Sequence, residues 1–466
     1  MPQATWTSVT RRRPPRPGTQ QRKRTLADSS LFELDGRRIA IVNWRDPWHP
    51  DAGGAERYAW EMARRLAGRG AKVCFVTCRA TGQRRRDRRG GVELIRMGRR
   101  FSVYPLILCW MLMHRRSFDA VADCQNGIPF FTPWVLPRRV PVFCVMHHVH
   151  DRQFGVYFPA WMAWVGRLLE GPVARWSYRR HACIAVSLST EDAMRERLRW
   201  TGPVYLIPNG ISVAEPPDAA TGGLRLAWVG RLVAHKRVLD ILDVAARLAG
   251  TGATIHVIGR GPDSGRFAQQ AVARGLGDAV RMHGYLPEED KAALVAGSLL
   301  HLNTSQGEGW GLCVLEAAAL GVPTVAYDVD GLRDAVRDGQ TGWLVADGDR
   351  IENVAEQAIK ELSVPERRAD VQAACRRWAA CFGWDRSAER FATLLAAAID
   401  RGTARGTREG ARLIRCDGVD GSHTIVAEGP VWDVLAEHAD GAQELREPTS
   451  VERLLGHDVD EAGQRP

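Results

Sequence analysis

Between residues 37 and 328, short aliphatic and β-branched runs alternate with longer stretches of helical period. No other feature of the chain restricts its fold as much. RRIAIVN (37–43) has the composition of a strand. It is followed by the loop WRDPWHPDAGG, the helical stretch ERYAWEMARRLAGRG and a second strand, KVCFVTC. Further strands are expected at FDAVADC (118–124), VPVFCVM (140–146), CIAVS (183–187) and VYLIP (204–208). PNGISVAEPPDAATGG (208–223) then breaks the pattern, with Pro and Gly but no apolar period. The alternation restarts with the strand LRLAWVG (224–230) and the helical stretch HKRVLDILDVAARLAG. Strands follow at TIHVIG (254–259), RMHGY (281–285), LLHLN (299–303) and PTVAYD (323–328). Strands separated by helices of this length form parallel βαβ units. The expected fold is α/β: two doubly wound Rossmann-like domains, 36–207 and 224–384, joined by the linker 208–223 and facing each other across a cleft. A helix over 385–400 is expected to pack back toward the N-terminal domain. Residues 1–35, rich in Arg and Pro, read as a disordered basic arm. Residues 401–466 read as an acidic tail without assigned chemistry.

Length supports two cores, because 466 residues exceed one ordinary domain. Charge is unevenly placed. Residues 1–27 carry seven Lys/Arg and no acid, residues 417–466 carry twelve acids and three bases, and +12 remains on 28–416. A basic body suits an anionic partner such as a nucleoside diphosphate or an anionic lipid surface. Nucleic acid is not expected, since no recognition motif accompanies the Arg-rich arm. Ten cysteines without a C-x-x-C pair argue against a zinc ribbon or a disulfide framework and for a reducing compartment. The N-terminal segment has no apolar core of a secretory signal, and the longest apolar run, VYPLILCWMLM (103–113), is too short to cross a bilayer. A cytoplasmic location is expected. RRFSVYPLILCWMLMHRR (99–116) and YFPAWMAWVGRLL (157–169) mix apolar, aromatic and basic residues, as segments lying in a lipid interface do. That reading makes the protein peripheral on the inner membrane face; core helices with basic ends are the other reading.

The chemistry concentrates in TSQGEGWGLCVLEAAALGVP (304–323). The loop follows the strand LLHLN, and LCVLEAAALG reads as a helix stopped at Gly321. Gly309 and Gly311 let the backbone approach a ligand closely. The N–H groups of Trp310, Gly311, Leu312 and Cys313 at the helix start form a site for phosphate or a sugar oxygen. Glu316 lies one turn further along. An ionised carboxylate only accepts hydrogen bonds and has two oxygens, which match the two hydroxyls of a ribose diol. Glu308 sits on the other side of the anion site, where the group attached to the phosphate would lie. The bland alternative for Glu316 is a dipole partner in a first helical turn.

E-G-W-G-L-C-V-L-E-A-A-A-L-G-V-P is similar to the E-x7-E signature of the retaining, family 4 type glycosyltransferases of GT-B fold. WVGRLVAHKR (228–237) resembles the family's V-G-R…K segment, HVIGRGPD (256–263) its I-G-x-G-P turn and LIPNGI (206–211) its linker phrase. The resemblance covers about 37–400. It implies that Arg231 and Lys236 contact the diphosphate, where preorganised cations stabilise a departing anion. It implies that Glu316 holds the ribose and Glu308 the transferred sugar. HPDAGGAERY (49–58) resembles the family's glycine loop over the diphosphate, with Gly53 and Gly54 as candidates. VMHHVHD (145–151) follows a strand where the family often places a His near the sugar's outer hydroxyls. His147 fits the strand end, with His148 as its rival. The implied activity is hexosyl transfer from a nucleoside diphosphate sugar to a hydroxyl acceptor (envelope lipid, glycan or secondary metabolite). The resemblance also implies transfer with retention and no dedicated base, the leaving phosphate oxygen taking the acceptor proton on the same face. No cofactor beyond the nucleotide-sugar co-substrate is implied.

No metal is expected. The H-H-x-H run lacks a nearby carboxylate or Cys at ligand spacing. DVD (328–330) has the form of a metal-binding D-x-D, yet it follows the strand PTVAY and its surroundings fit the family's post-helix loop. G-R-G-P (259–262) lacks the third glycine and the ribose-binding acid of a dinucleotide fingerprint. A nicotinamide-dependent epimerase or dehydrogenase and a non-catalytic nucleotide-sugar-binding protein are the alternative functions. A cofactor absorbance scan separates the first, and a turnover assay the second.

Overall fold

The alternation in RIAIV sets the layering of the first half of the chain. In β1 (Arg38–Val42), Ile39 and Ile41 join one core and Ala40 and Val42 another, so the strand is buried on both faces. Such a strand needs helices on both sides of its sheet, and the chain supplies them. The computed structural model describes residues 34–212, 223–400, 412–417 and 423–428. The first sheet continues with β2 (Lys72–Thr77), β3 (Arg86–Arg89), β4 (Val92–Arg96), β5 (Ala120–Gln125), β6 (Val142–Met146), β7 (Ala182–Ala185) and β8 (Val204–Leu206). Its order is β3-β4-β2-β1-β5-β6-β7-β8, parallel throughout except for the β3–β4 hairpin. Its helices are α1 (Gly54–Gly68), α2 (Val103–Met113), α3 (Phe154–Tyr157), α4 (Ala160–Leu168), α5 (Ala174–Tyr178) and α6 (Leu188–Glu196).

The second sheet is built from β9 (Arg225–Val229), β10 (Thr254–Ile258), β11 (Val280–Gly284), β12 (Leu300–Asn303), β13 (Thr324–Tyr327) and β14 (Gly342–Val345). All its neighbours are parallel, in the order β11-β10-β9-β12-β13-β14. Counted within the domain this is the 3-2-1-4-5-6 order of a dinucleotide-type fold, and its direction reverses between β9 and β12. Ligands of such sheets bind outside the carboxyl ends at that reversal. Its helices are α7 (Ile241–Arg247), α8 (Ser264–Ala273), α9 (Glu288–Ala296), α10 (Leu312–Ala319), α11 (Leu332–Ala335), α12 (Ile351–Leu362), α13 (Pro365–Ala380) and α14 (Trp384–Asp400).

The last of these crosses back to the first half. On α14, Asp385 accepts from Arg65 of α1 at 2.6 Å, and the Ala388 carbonyl accepts from Arg69 at 3.3 Å. The Ile211 N–H donates to Phe382 O at 2.8 Å, and Gly210 lies so close to Trp384 that no Cβ fits between them. One apolar core therefore runs from α1 through α14 into the second sheet.

Several elements depart from what the sequence pattern predicts. The segment 235–250 is not one helix: two short 3-10 turns, Ala234–Lys236 and Val238–Asp240, precede α7. Arg237 between them has φ +47°, a left-handed conformation that interrupts a helix. The Arg237 guanidinium holds that turn through Asp240 (2.6 Å) and the Tyr327 ring (4.3 Å to its centroid). Strands β3, β4 and β14 escaped the pattern, since β3 is RDRR and β14 has only four residues. Within 401–466, β15 (Arg412–Asp417) and β16 (His423–Glu428) form an antiparallel pair; the rest of that tail, and residues 1–33 of the arm, lie outside the described residues. Of the two apolar, aromatic and basic segments, α2 turns Val103, Ile107 and Met111 into the core. In contrast, α4 buries only Ala163 and Gly166.

Candidate active site

Helix α10 begins where a glycine allows it to. Gly311 precedes it at φ +73°, and Gly321 follows it at φ +78°. Val314, Leu315, Ala317 and Ala318 bury its inner face. Its first N–H groups, those of Leu312 and Cys313, have no intrahelical acceptor by geometry. The tip points at the reversal between β9 and β12, and Leu312 packs on Gly54 of α1, where a Cβ would come within 2.8 Å of Leu312 Cδ1. Loop 304–311 is fixed from below. Trp228 Nε1 donates to Thr304 Oγ1 (3.0 Å), Thr304 Oγ1 donates to Lys236 O (2.6 Å), and the Gln306 N–H donates to His235 O (2.9 Å).

These bonds seat the loop after β9 against the loop after β12, and their side chains meet. Lys236 Nζ donates to Glu308 Oε1, which also accepts from Ser305 Oγ at 2.7 Å. The two charged side chains are only 18% and 17% exposed, so their attraction is weakly screened. Burial pushes the Glu308 carboxyl upward, but the Lys236 ammonium and the Ser305 hydroxyl outweigh it and hold the group below its ordinary value. Arg231 is exposed, and among the described residues it makes no ion pair. It faces the field of Glu56, a buried acid of α1. Glu316 is held by two cations: Arg57 Nη1 at 2.7 Å on Oε1 and Lys291 Nζ at 3.2 Å on Oε2. Burial would lower the Lys291 ammonium, but Glu316 and Glu288 raise it overall.

Two sequence expectations need correction. His147 does not face the cleft. Its ring is buried edge-on against Tyr58 with centroids 4.9 Å apart, and burial pushes it down to about 3. Its neighbour His148 approaches the glutamate loop instead, since a Cβ on Gly307 would lie 3.4 Å from His148 Cε1. A strand alternates its side chains, so a shift of one residue exchanges core for cleft. Burial and the His150 charge keep His148 neutral as well, near 3. The Trp310 side chain packs on Phe382 with centroids 5.0 Å apart, and its backbone stands at the helix tip. The Gly53 N–H is already engaged, donating to Glu56 Oε2 at 2.8 Å. The Cys313 thiol is pushed up to about 12, first by burial and then by Glu308, which excludes a reactive thiolate at neutral pH.

Other residues enter that the sequence did not single out. Tyr157 of α3 meets His235 across the cleft through its hydroxyl and Nδ1. Arg197 bridges the halves, bonding Asp151 on its own side and Asp330 at 3.1 Å on the other. With Asp328 held by Arg333 at 2.8 Å, both acids of DVD are committed to arginines. Arg57 directly follows Glu56 in the GGAER helix start, but only the docking of α1 on α10 brings it to Glu316. Gly309 leaves no room for a Cβ against the His147 carbonyl. The glycines of G-R-G-P act just as locally. Gly259 and Gly261 back directly onto the carbonyls of Gly230 and Leu232, which shapes the Arg231 loop rather than a phosphate cradle.

Comparisons with known proteins agree with this architecture. The family model described as Glycosyl transferases group 1 matches residues 216–378, and Glycosyltransferase Family 4 matches 52–215. Glycogen synthase of Mycobacterium tuberculosis is 32% identical over 239 residues, covering 48% of this chain and 56% of that protein. The chain thus matches little more than half the length of that relative. D-inositol 3-phosphate glycosyltransferase of Acidothermus cellulolyticus is 27% identical over 423 residues, covering 79% and 92%. Among solved structures, sucrose-phosphate synthase from Thermosynechococcus elongatus superposes with a TM-score of 0.66 at 19% identity, over 77% of this chain and 98% of its own. Anabaena Alr3699/HepE in complex with UDP and glucose gives 0.60 at 18% identity, over 78% and 100%.

Proposed function

As the chain belongs to the family 4 type of glycosyltransferases with the GT-B fold, we propose that it moves a hexose-type sugar, with retention, from a nucleoside diphosphate sugar to a hydroxyl acceptor. The observation that carries this reading is the Lys236–Glu308 pair at the reversal of the second sheet, beside an exposed Arg231 and the tip of α10. In this reading Arg231, Lys236 and the N–H groups at residues 309–313 take the diphosphate. Glu308 orients the transferred sugar. A ribose diol takes a Glu316 oxygen in exchange for Arg57, while Lys291 keeps the carboxylate in place. His148, neutral and able to accept, serves an outer sugar hydroxyl. The N-terminal half presents the acceptor, and its hydroxyl proton passes to the leaving phosphate oxygen on the same face.

Positive charge for the leaving group comes from Arg231 and Lys236, so divalent metal is not required. The arginine pairing of Asp328 and Asp330 supports that choice. The test is a panel of nucleoside diphosphate sugars scored for release of the diphosphate, with the anomeric configuration of the product read by NMR. Release from one or more donors with retained configuration is expected. Binding without turnover across the panel would leave a non-catalytic nucleotide-sugar binder, and loss on chelation restored by manganese would overturn metal independence.

A further inference from the structure

We propose that the outer face of α4 and α5 is a docking surface for an anionic lipid bilayer. The two helices are joined by a wider π-type turn, Leu169–Val173, and form one continuous rod. Ala163, Gly166, Glu170, Gly171, Ala174 and Tyr178 bury its inner side. The opposite side carries Trp161, Trp164 and Trp176, which are 69%, 63% and 60% exposed, with Val165 and Leu168 between them at helical spacing. Trp134 extends the patch, donating through Nε1 to Ser177 of α5 at 2.9 Å. Soluble surfaces rarely gather so many large apolar side chains in one place. Tryptophan is the residue that settles at the boundary between headgroups and acyl chains.

Charge selects the partner. Between residues 155 and 181 there are four arginines, Arg167, Arg175, Arg179 and Arg180, and a single acid, Glu170. Glu170 is fully buried and accepts from the His150 N–H at 2.7 Å, so it does not offset them at the surface. Among the described residues none of the four arginines pairs with a carboxylate; Arg167, Arg175 and Arg179 donate to backbone carbonyls instead. An apolar stripe flanked by unneutralised arginines matches an interfacial helix on anionic lipid. No helix among the described residues is long and apolar enough to cross a membrane, so the contact lies in the plane of the surface. The stripe begins just after Tyr157, the residue that meets His235 across the cleft, which sets the cleft mouth beside the lipid.

Vesicle co-sedimentation of the full chain tests this. Binding to phosphatidylcholine vesicles containing phosphatidylglycerol is expected to exceed binding to phosphatidylcholine alone at least about tenfold. The triple change Trp161→Ser, Trp164→Ser, Trp176→Ser is expected to weaken it at least about tenfold, with donor turnover in solution unchanged. Should that variant be unstable, Arg175→Gln, Arg179→Gln, Arg180→Gln gives the same reading through charge alone. Equal binding to both vesicle types overturns the proposal. So does unaltered binding by these variants when Arg11→Gln, Arg12→Gln, Arg13→Gln abolishes it, because the N-terminal arm would then hold the membrane. Loss of self-association in the tryptophan variant, with vesicle binding intact, would overturn it as well and make this face a contact between copies of the chain.

Discussion

Replacing Lys236 by Met removes the ammonium and keeps the length of the side chain. In the wild type, burial acts to raise the Glu308 carboxyl, while Lys236 and Ser305 prevail and hold it below its ordinary 4.5. A carboxyl whose folded value lies below its unfolded one adds stability that is fully present above about pH 4.5 and is lost as pH falls through the lowered folded value. Without Lys236, burial loses its main opponent and the carboxyl moves up. The linkage then changes sign, and stability falls as pH rises through the new window. A carboxylate 17% exposed and left without its cation costs about 3 kcal/mol if it stays ionised, and less where it takes up a proton. In the proposed function Lys236 also faces the departing diphosphate, so turnover depends on the same charge differently. Loss of one aligned cation is expected to cost about a hundredfold, or roughly 2.7 kcal/mol of barrier. Diphosphate release and melting temperature, each followed from about pH 4 to 8, read both effects. Turnover within about threefold of wild type, or an unchanged pH dependence of melting, would refute the reasoning.

Glu308→Ala is likewise expected to lose turnover at least about a hundredfold, and a near-normal rate in steady-state assays would remove its role. Glu316→Gln should raise the donor KM about tenfold with a much smaller change in kcat, since the amide accepts at one position only; an equal fall in both counts against ribose binding. The two histidines separate by assay: His148→Ala is expected to lower turnover at least about tenfold, whereas His147→Ala lowers the melting point, by about 2 kcal/mol of stability, and leaves kcat near normal. In Gly309→Ala a methyl group meets the His147 carbonyl, so calorimetry should show destabilisation together with lost turnover. Activity is expected to survive dialysis against a chelator.

The alternation of elements was written in residue order alone. Near-continuous apolar runs such as RIAIV and PTVAY, separated by helical stretches, require parallel sheets covered on both faces, and a Pro/Gly break without period requires two of them. Glu308, Arg231 and Lys236 were legible as candidates, because glycines, an acid and a rare lysine stood in loops after strands where such sheets bind ligands, and Glu316 followed in the next helix. Choices of facing were not legible. His147 and His148 differ by one residue in register, and only the packing of Tyr58 shows which of them is core. Trp310 lies in the same loop as Glu308 but turns inward to Phe382, a residue 72 positions away. The cations on Glu316 come from α1 and α9, distant in sequence, and the Arg197 bridge joins residues 133 positions apart. Local pattern fixes which residues stand at a strand end. Which side chain turns to the cleft, and which partner across it meets its charge, is decided only when two sheets dock and every buried polar group must find its counterpart.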